Sequence, residues 1–351
     1  KFVTFSNYSM PINYENGIIK EHKHVRNYAG IFDVSHMGQI LISSNSNNIT
    51  KLEKYIPLDL ENMPLKNSKY SFILNKEGGI VDDIIISKLI YNNEKKIFIV
   101  YNASRKEIVE KIFNEILTDY NLLTRNCLLA VQGPLADKII SNVGIQKDDL
   151  LFMNIKSYIY NNESIIISRT GYTGEDGFEL SIPNSISENF IDEIIKNNKE
   201  VLLCGLGSRD SLRLEAGLSL YGNELNETLT PVDAGLLWAI NKNKLMNLDF
   251  YGSNIISNQI KRGSKLKKIG VKIKSKSILR SKMEIINNNK HKLGYITSGG
   301  YSPSLDYSIG LGYLYNENNN KNIDLNCLIR GNLEKIEIVK LPFIKHNYLK
   351  G

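Results

Sequence analysis

Cysteine is scarce in this chain, and so is histidine: three cysteines and five histidines among 351 residues. Cys127, Cys204 and Cys327 are odd in number and widely separated, which argues against a disulfide scaffold and against a zinc site, whose ligands cluster. A reducing compartment fits that usage. Long apolar runs are missing too. None approaches the roughly 18 residues that a bilayer-crossing helix needs, so no membrane segment is expected. No basic-then-apolar leader follows Lys1, and the chain reads as processed or trimmed, with any targeting segment outside it. An excess of one charge is nearly missing as well: 44 basic and 37 acidic side chains leave a net +7. The lysines are scattered through Asn-rich loops and are not interleaved with aromatics on one face, so nucleic acid is not an expected partner. The densest basic run, 261–276, reads as a solvated linker. The mild positive field suits an acidic protein or the anionic tail of a ligand.

What is present is ordinary for a soluble globular protein, 42% hydrophobic and 23% charged, in a chain long enough for two or three domains. The chain is organised around 168–180, SRTGYTGEDGFEL. An apolar run, Ile165 to Ile167, enters it, and Phe178, Leu180 and Ile182 leave it at period two. Between them Gly171, Gly174 and Gly177, with Glu175 and Asp176, have the composition of a tight connection between two strands. In a strand over 177–182, Phe178, Leu180 and Ile182 face one side and Glu179 the other. Glu179 is then either a solvated residue on a wet face or a ligand-binding carboxylate. Its neighbours favour the second reading: Tyr172 can offer an aromatic plane, and the glycines let a flat ligand approach the backbone. A carboxylate matches a planar group with two adjacent N–H donors, such as the 2-amino-4-oxo edge of a pterin.

A second feature is Asp82–Asp83, in a strand opened by Gly78–Gly79. There Ile80, Asp82, Ile84 and Ile86 share one face, and Val81, Asp83, Ile85 and Ser87 the other. The two carboxylates are expected to point in opposite directions and not to clamp a metal. Because both faces are otherwise apolar, one aspartate must be paired or functional. Asn102 ends the returning strand, where it either closes a turn or bonds a ligand. Ser104 and Glu107 have the spacing of a capping box, opening a helix that buries Ile108, Ile112, Phe113, Ile116 and Leu117. Gly205 and Gly207 precede another helix, but Asp210 replaces the third glycine of a dinucleotide fingerprint. Ser208 is the expected N-cap of 209–216. On that helix Arg209 and Arg213 share a face. Either Asp210 and Glu215 answer both in an ion-pair network, or Arg209 projects into a pocket. Ser35–His36 is not read as a nucleophile–base pair, because adjacent strand residues point apart.

Together these stretches closely resemble the tetrahydrofolate-dependent aminomethyltransferases, the T-protein family of the glycine cleavage system. The resemblance rests on GIFDVSHMG (30–38), GGIVDDIII (78–86), SRTGYTGEDGFEL (168–180), CGLGSRDSLRLEAGLSLYGNEL (204–225) and ITSGGYSPSL (296–305), in the family's order. It implies an α+β fold in a three-part, cloverleaf-like folate-binding arrangement with ferredoxin-like antiparallel sheets. A core domain over 1–38 and 124–262 would carry an inserted α+β domain over 39–123 with the catalytic aspartate. A small C-terminal β-barrel domain would follow over 263–351, where short β-rich runs recur between turn signals. The resemblance selects Asp83 as the catalytic residue, and Met37, Tyr70, Asn102, Tyr172, Glu179 and Arg209 as folate contacts. It implies transfer of a one-carbon unit from the lipoyl arm of H-protein to tetrahydrofolate, with release of ammonia. No metal, nucleic acid or membrane is implied, and in eukaryotes the family is mitochondrial.

Two departures stand out. The family's N-terminal segment is expected to lie outside this sequence, and Ser87 stands where some relatives carry Tyr. The alternative is a folate-binding relative without transferase activity that serves iron–sulfur cluster maturation. Such relatives carry a Lys-Gly-Cys motif where this chain has Arg169-Thr-Gly-Tyr. The run NENNNKN at 316–322 is expected to be disordered or mobile.

Overall fold

The computed structural model describes residues 1–147, 150–316 and 324–350, so nearly all of the run at 316–322 lies outside the described residues. The chain starts with a hairpin, Phe2–Phe5 (β1) against Tyr8–Pro11 (β2), where alternation predicts a single edge strand. Ser6 and Asn7 both take positive φ (46° and 68°), the turn geometry that matches strand twist. Helix Gly17–Asn27 (α1) then leads into Ala29–Asp33 (β3).

The next elements form a separate sheet. They are Gly38–Ser43 (β4), Ser46–Tyr55 (α2), Asn67–Leu74 (β5), Ile80–Tyr91 (β6), Glu94–Tyr101 (β7), Lys106–Ile116 (α3) and Tyr120–Leu122 (β8). Their five strands pair antiparallel in the order β5-β6-β7-β4-β8. The isoleucines Ile40, Ile42, Ile84, Ile86, Ile97 and Ile99 line one face, where Ile49 and Leu52 of α2 and Val109 and Phe113 of α3 cover them. Each such side chain, fully buried, contributes roughly 1.5–3 kcal/mol. The capping box does not form. A 3-10 turn, Ala103–Arg105, precedes α3, whose N-cap is Arg105 without a side-chain bond. Ile108 is exposed, and Val109 lies in the core in its place.

The chain then returns beside β3 with Asn126–Gln132 (β9), Ala136–Asn142 (α4), Ile155–Tyr160 (β10), Glu163–Ser168 (β11), Gly177–Pro183 (β12), Asn184–Asn197 (α5), Val201–Leu203 (β13) and Leu206–Glu215 (α6). This six-stranded sheet runs β10-β11-β12-β9-β3-β13, and its one parallel pair is β13 with β3. Phe178, Leu180 and Ile182 do share a face, packed with Phe190 and Ile194 of α5. Helix α6 starts earlier than expected, with Gly205 as N-cap, so Ser208 lies inside it and bonds Glu21.

Lys242–Asn247 (α7) and Ser253–Arg262 (α8) follow. A barrel closes the chain, built from Leu266–Ile273 (β14), Glu284–Ile286 (β15), Lys292–Ser302 (β16), Tyr307–Tyr315 (β17), Leu325–Ile329 (β18) and Asn332–Val339 (β19). Its order is β14-β17-β16-β15-β18-β19, with β19 returning to β14. The basic run 261–276 is therefore not a linker, since it ends α8 and forms β14. The three units touch through apolar clusters. Leu41, Leu89 and Phe98 meet Ile155 and Ile166, and Leu214 of α6 meets Ile309 and Leu311 of the barrel. Phe72, Leu74 and Ile80 lie under Leu225, Ala239, Phe250 and Ile256.

Candidate active site

Three sequence-predicted residues converge where β5, β6 and the end of β7 meet. Tyr70 Oη donates to Asp83 Oδ2 at 3.1 Å, and Asn102 Nδ2 donates to Asp83 Oδ1 at 2.8 Å. Asn102 also binds the neighbouring carboxylate. Its backbone N–H donates to Asp82 Oδ2 at 2.9 Å and its Nδ2 to Asp82 Oδ1 at 2.8 Å. Alternation alone sends the two carboxylates apart, yet both reach one amide. The ladder between β6 and β7 ends at the Ile85–Val100 pair, and Asn102, just beyond β7, turns its backbone N–H to Asp82 and its side-chain amide to both carboxylates. Asp82 is fully buried. Burial raises the proton affinity of both carboxyls, and the charge of Asp83 raises that of Asp82 further. The Tyr70 and Asn102 donors pull Asp83 the other way.

Tyr70 carries the site outward, because Trp238 stacks on it with ring centroids 5.6 Å apart, and Trp238 is 69% exposed. Tyr172, close enough to act electrostatically on Tyr70, donates its hydroxyl to the Ser219 carbonyl. The Arg209 guanidinium lies over the Tyr172 ring at 4.8 Å. Arg209 Nη1 is buried and has no hydrogen-bond partner among the described residues. Arg209 and Arg213 thus part company. Arg213 is spent on Asp210 (2.8 Å) and Glu224 (3.1 Å), whereas Glu215 turns to His22 and Arg26. Glu179 accepts from Thr170 Oγ1 at 2.6 Å and its charge supports that of Arg209, against a burial that disfavours the cation. Met37 packs at the edge of the cluster of Val34, Ala130 and Leu212. Ser87 bonds Ser68 at 2.8 Å in a buried pair.

The glycines of 168–180 have a different use from the one expected. A Cβ on Gly171 would lie 1.8 Å from Gln132 Oε1, and one on Gly177 would lie 2.4 Å from the Val131 carbonyl. They make room for the buried Gln132, which donates to the Thr170 carbonyl and accepts from Thr173 Oγ1. The connection is also longer than a tight hairpin, and Arg169 paired with Asp176 closes it. Among the described residues no cluster of His, Cys, Asp or Glu could hold a metal, and no helix is long and apolar enough to cross a membrane.

Residues 1–244 match the profile of the GCVT N-terminal domain, and residues 267–345 that of the glycine cleavage T-protein C-terminal barrel domain. The chain belongs to the glycine cleavage T-protein family. It is 35% identical to the mitochondrial aminomethyltransferase of Solanum tuberosum over 366 residues, covering all of this chain and 88% of that one. It is 37% identical to the aminomethyltransferase of Francisella philomiragia over 352 residues, covering 99% and 94%. The crystal structure of the glycine cleavage system aminomethyltransferase T from Bartonella henselae superposes with a TM-score of 0.92 at 32% identity, covering 100% and 96%. The protein has the T-protein fold, with a closed six-stranded C-terminal barrel.

Set in this T-protein, the site has members that sequence reading missed. Lys268, inside the supposed linker, donates from Nζ to Ser219 Oγ at 2.6 Å. Burial lowers its ammonium to about 8, and the charges of Glu224 and Asp83 oppose that fall. His36 is buried against Phe5, and its Nδ1 has no partner among the described residues. Burial and then Arg209 push its imidazolium down to about 4. For Lys268 the signal was only a lysine at period two with Gly270. For His36 there was none beyond the HMG tripeptide.

Proposed function

We propose that this T-protein transfers the one-carbon unit of S-aminomethyl-dihydrolipoyl H-protein to tetrahydrofolate, giving 5,10-methylenetetrahydrofolate and ammonia. The observation that carries the reading is Asp83, a half-buried carboxyl held by one hydroxyl and one amide, with a proton affinity raised by desolvation. Such a group can both accept and return a proton near neutrality. The reaction breaks the S–CH2 and CH2–NH2 bonds and forms two C–N bonds to folate nitrogens. The two folate N–H protons end on the departing amine and on the lipoyl sulfur, so no oxidant is needed. Asp83 accepts the proton of the attacking folate nitrogen and passes one to the leaving amine.

Glu179 clasps the two N–H donors of the pterin edge, Tyr172 and Tyr70 form aromatic walls, and Met37 adds apolar packing. Arg209 Nη1, without a hydrogen-bond partner among the described residues, donates to a ligand acceptor. Asn102 orients Asp83. We assign the division into a core over 1–38 and 124–262, an insert over 39–123 and a barrel over 263–351, with folate between them. We also infer a mitochondrial location, as the names of several plant relatives have it.

Ammonia release with lipoylated H-protein and tetrahydrofolate tests the activity. Asp83→Asn should lower kcat about 100- to 10,000-fold while folate still binds. Near-wild-type turnover in that variant overturns the role of Asp83.

A further inference from the structure

Asp82 is an unusual thing to find beside a catalytic carboxyl. It is fully buried, no cation forms an ion pair with it among the described residues, and both of its oxygens face Asn102. Because Asn102 Nδ2 sits 2.8 Å from an oxygen of each aspartate, those two oxygens are at most twice that distance apart. Two carboxylates so close, one fully buried and the other half-buried, do not both ionise cheaply, as dyads that share a proton illustrate. Resting on the proposed transferase reading, we propose that Asp82 is the positioning partner of Asp83. Through the Asn102 amide the two form one acid pair that stores a single proton, and Asp82 sets the charge state in which Asp83 meets the substrates.

The stored proton completes the transfer. With one proton on the pair, the leaving amine takes it as the C–N bond breaks, and the pair is refilled by the N–H proton of the attacking folate nitrogen. The second folate N–H proton goes to the lipoyl sulfur, so the pair ends each turnover as it began. The other groups that face the pair cannot take over this role. Arg105 is bound through Nε to the Val81 carbonyl at 2.8 Å and ion-paired to Glu227. Tyr70, Tyr101, Tyr172 and Tyr221 are all raised by burial and remain neutral. Lys268 contributes charge from the barrel side while bonded to Ser219, and its ammonium, lowered by burial to about 8, titrates on its own, so any limb it gives persists in Asp82→Asn.

The test is the pH dependence of ammonia release from lipoylated H-protein with tetrahydrofolate, in wild type, Asp82→Asn and Asp83→Asn. The wild type should give a bell, with kcat falling on both sides as the pair gains or loses a proton. Asp82→Asn should lower kcat about tenfold or more, leave KM for folate within about threefold, and lose the alkaline limb that belongs to the pair. A bell unchanged in Asp82→Asn overturns the inference, whether or not kcat falls, since a purely structural role lowers kcat without reshaping the profile. If Asp83→Asn keeps its activity, the transferase mechanism itself fails. If Asp83→Asn is inactive and only the Asp82 result is wrong, this inference fails alone. Should Asp82→Asn not fold, carboxyl carbon NMR of wild type decides. Two linked titrations across neutrality support the pair, and two independent titrations in the ordinary carboxylate range overturn it.

Discussion

Glu215→Gln should cost this protein about 3–5 kcal/mol of stability, the range for removing one partner of a buried ion pair. Glu215 ends α6 at zero exposure. Arg26 donates to its Oε2 from Nη2 at 2.9 Å and from Nε at 3.2 Å, His22 Nε2 lies 3.0 Å away, and Ser304 donates from Oγ at 2.9 Å and from N at 3.1 Å. Arg26 in turn holds Glu175 at 2.8 Å, and Asn347 near the C-terminus donates to the same Glu175. One carboxylate therefore ties α1, α6, the barrel and the C-terminal strap. A glutamine keeps the shape but turns an amide hydrogen toward donors at one position or the other. Hydrogen bonds from His22 and Ser302 and the Arg26 charge outweigh burial and hold the carboxyl at about 2, against an ordinary 4.5. That gap is about 3 kcal/mol at neutral pH. Because the folded value is the lower one, the stabilisation is complete above about pH 4.5 and is lost as pH falls toward 2. Roughly 2 kcal/mol of it is gone by about pH 3. Urea unfolding of both proteins at neutral pH and near pH 3 reads this directly. The difference between them should shrink on acidification. A variant within about 1 kcal/mol of wild type at neutral pH, or a gap that does not narrow with acid, refutes the reasoning.

Glu179→Ala should weaken folate binding more than about tenfold, the loss of one charge-assisted contact of roughly 1.5–3 kcal/mol. Equilibrium dialysis checks it, and an unchanged dissociation constant removes Glu179 from the site. Tyr70→Phe removes a donor that stabilises the Asp83 anion, so the acidic limb of the kcat–pH profile should move up by about one pH unit. A limb that stays or moves down contradicts the assignment. Trp238, the single tryptophan, is exposed and stacked on Tyr70. Its emission should shift to the blue when folate enters beside it, and a spectrum indifferent to saturating folate places the ligand elsewhere.

Periodicity carried part of this structure and reach carried the rest. The strand phase of Phe178, Leu180 and Ile182 could be read in advance because each spends its whole side chain on one packed face. Most of the barrel strands were legible for the same reason. Asp82 and Asp83 were legible only as directions. The amide of Asn102, just past the end of the next strand, bonds two formally opposed carboxylates through one nitrogen, and that long-range meeting has no local sequence signal. The glycines of the central motif were seen as openings. An opening in sequence does not name its occupant, and Gln132 from β9 fills this one. Lys268 was hidden by company, since a lysine among lysines looks solvated until the strand that carries it is laid against Ser219. Arg209 and Arg213 make the point most sharply. Both have the same residue type on the same helix face, and what separates them is the supply of carboxylates. Asp210 and Glu224 saturate Arg213, Glu215 is drawn off by Arg26, and Arg209 is left with an aromatic face and an unused donor. A buried cation in that condition is costly to the protein alone. Its cost is met when an anionic or carbonyl acceptor arrives, which is the physical reason to place the ligand there.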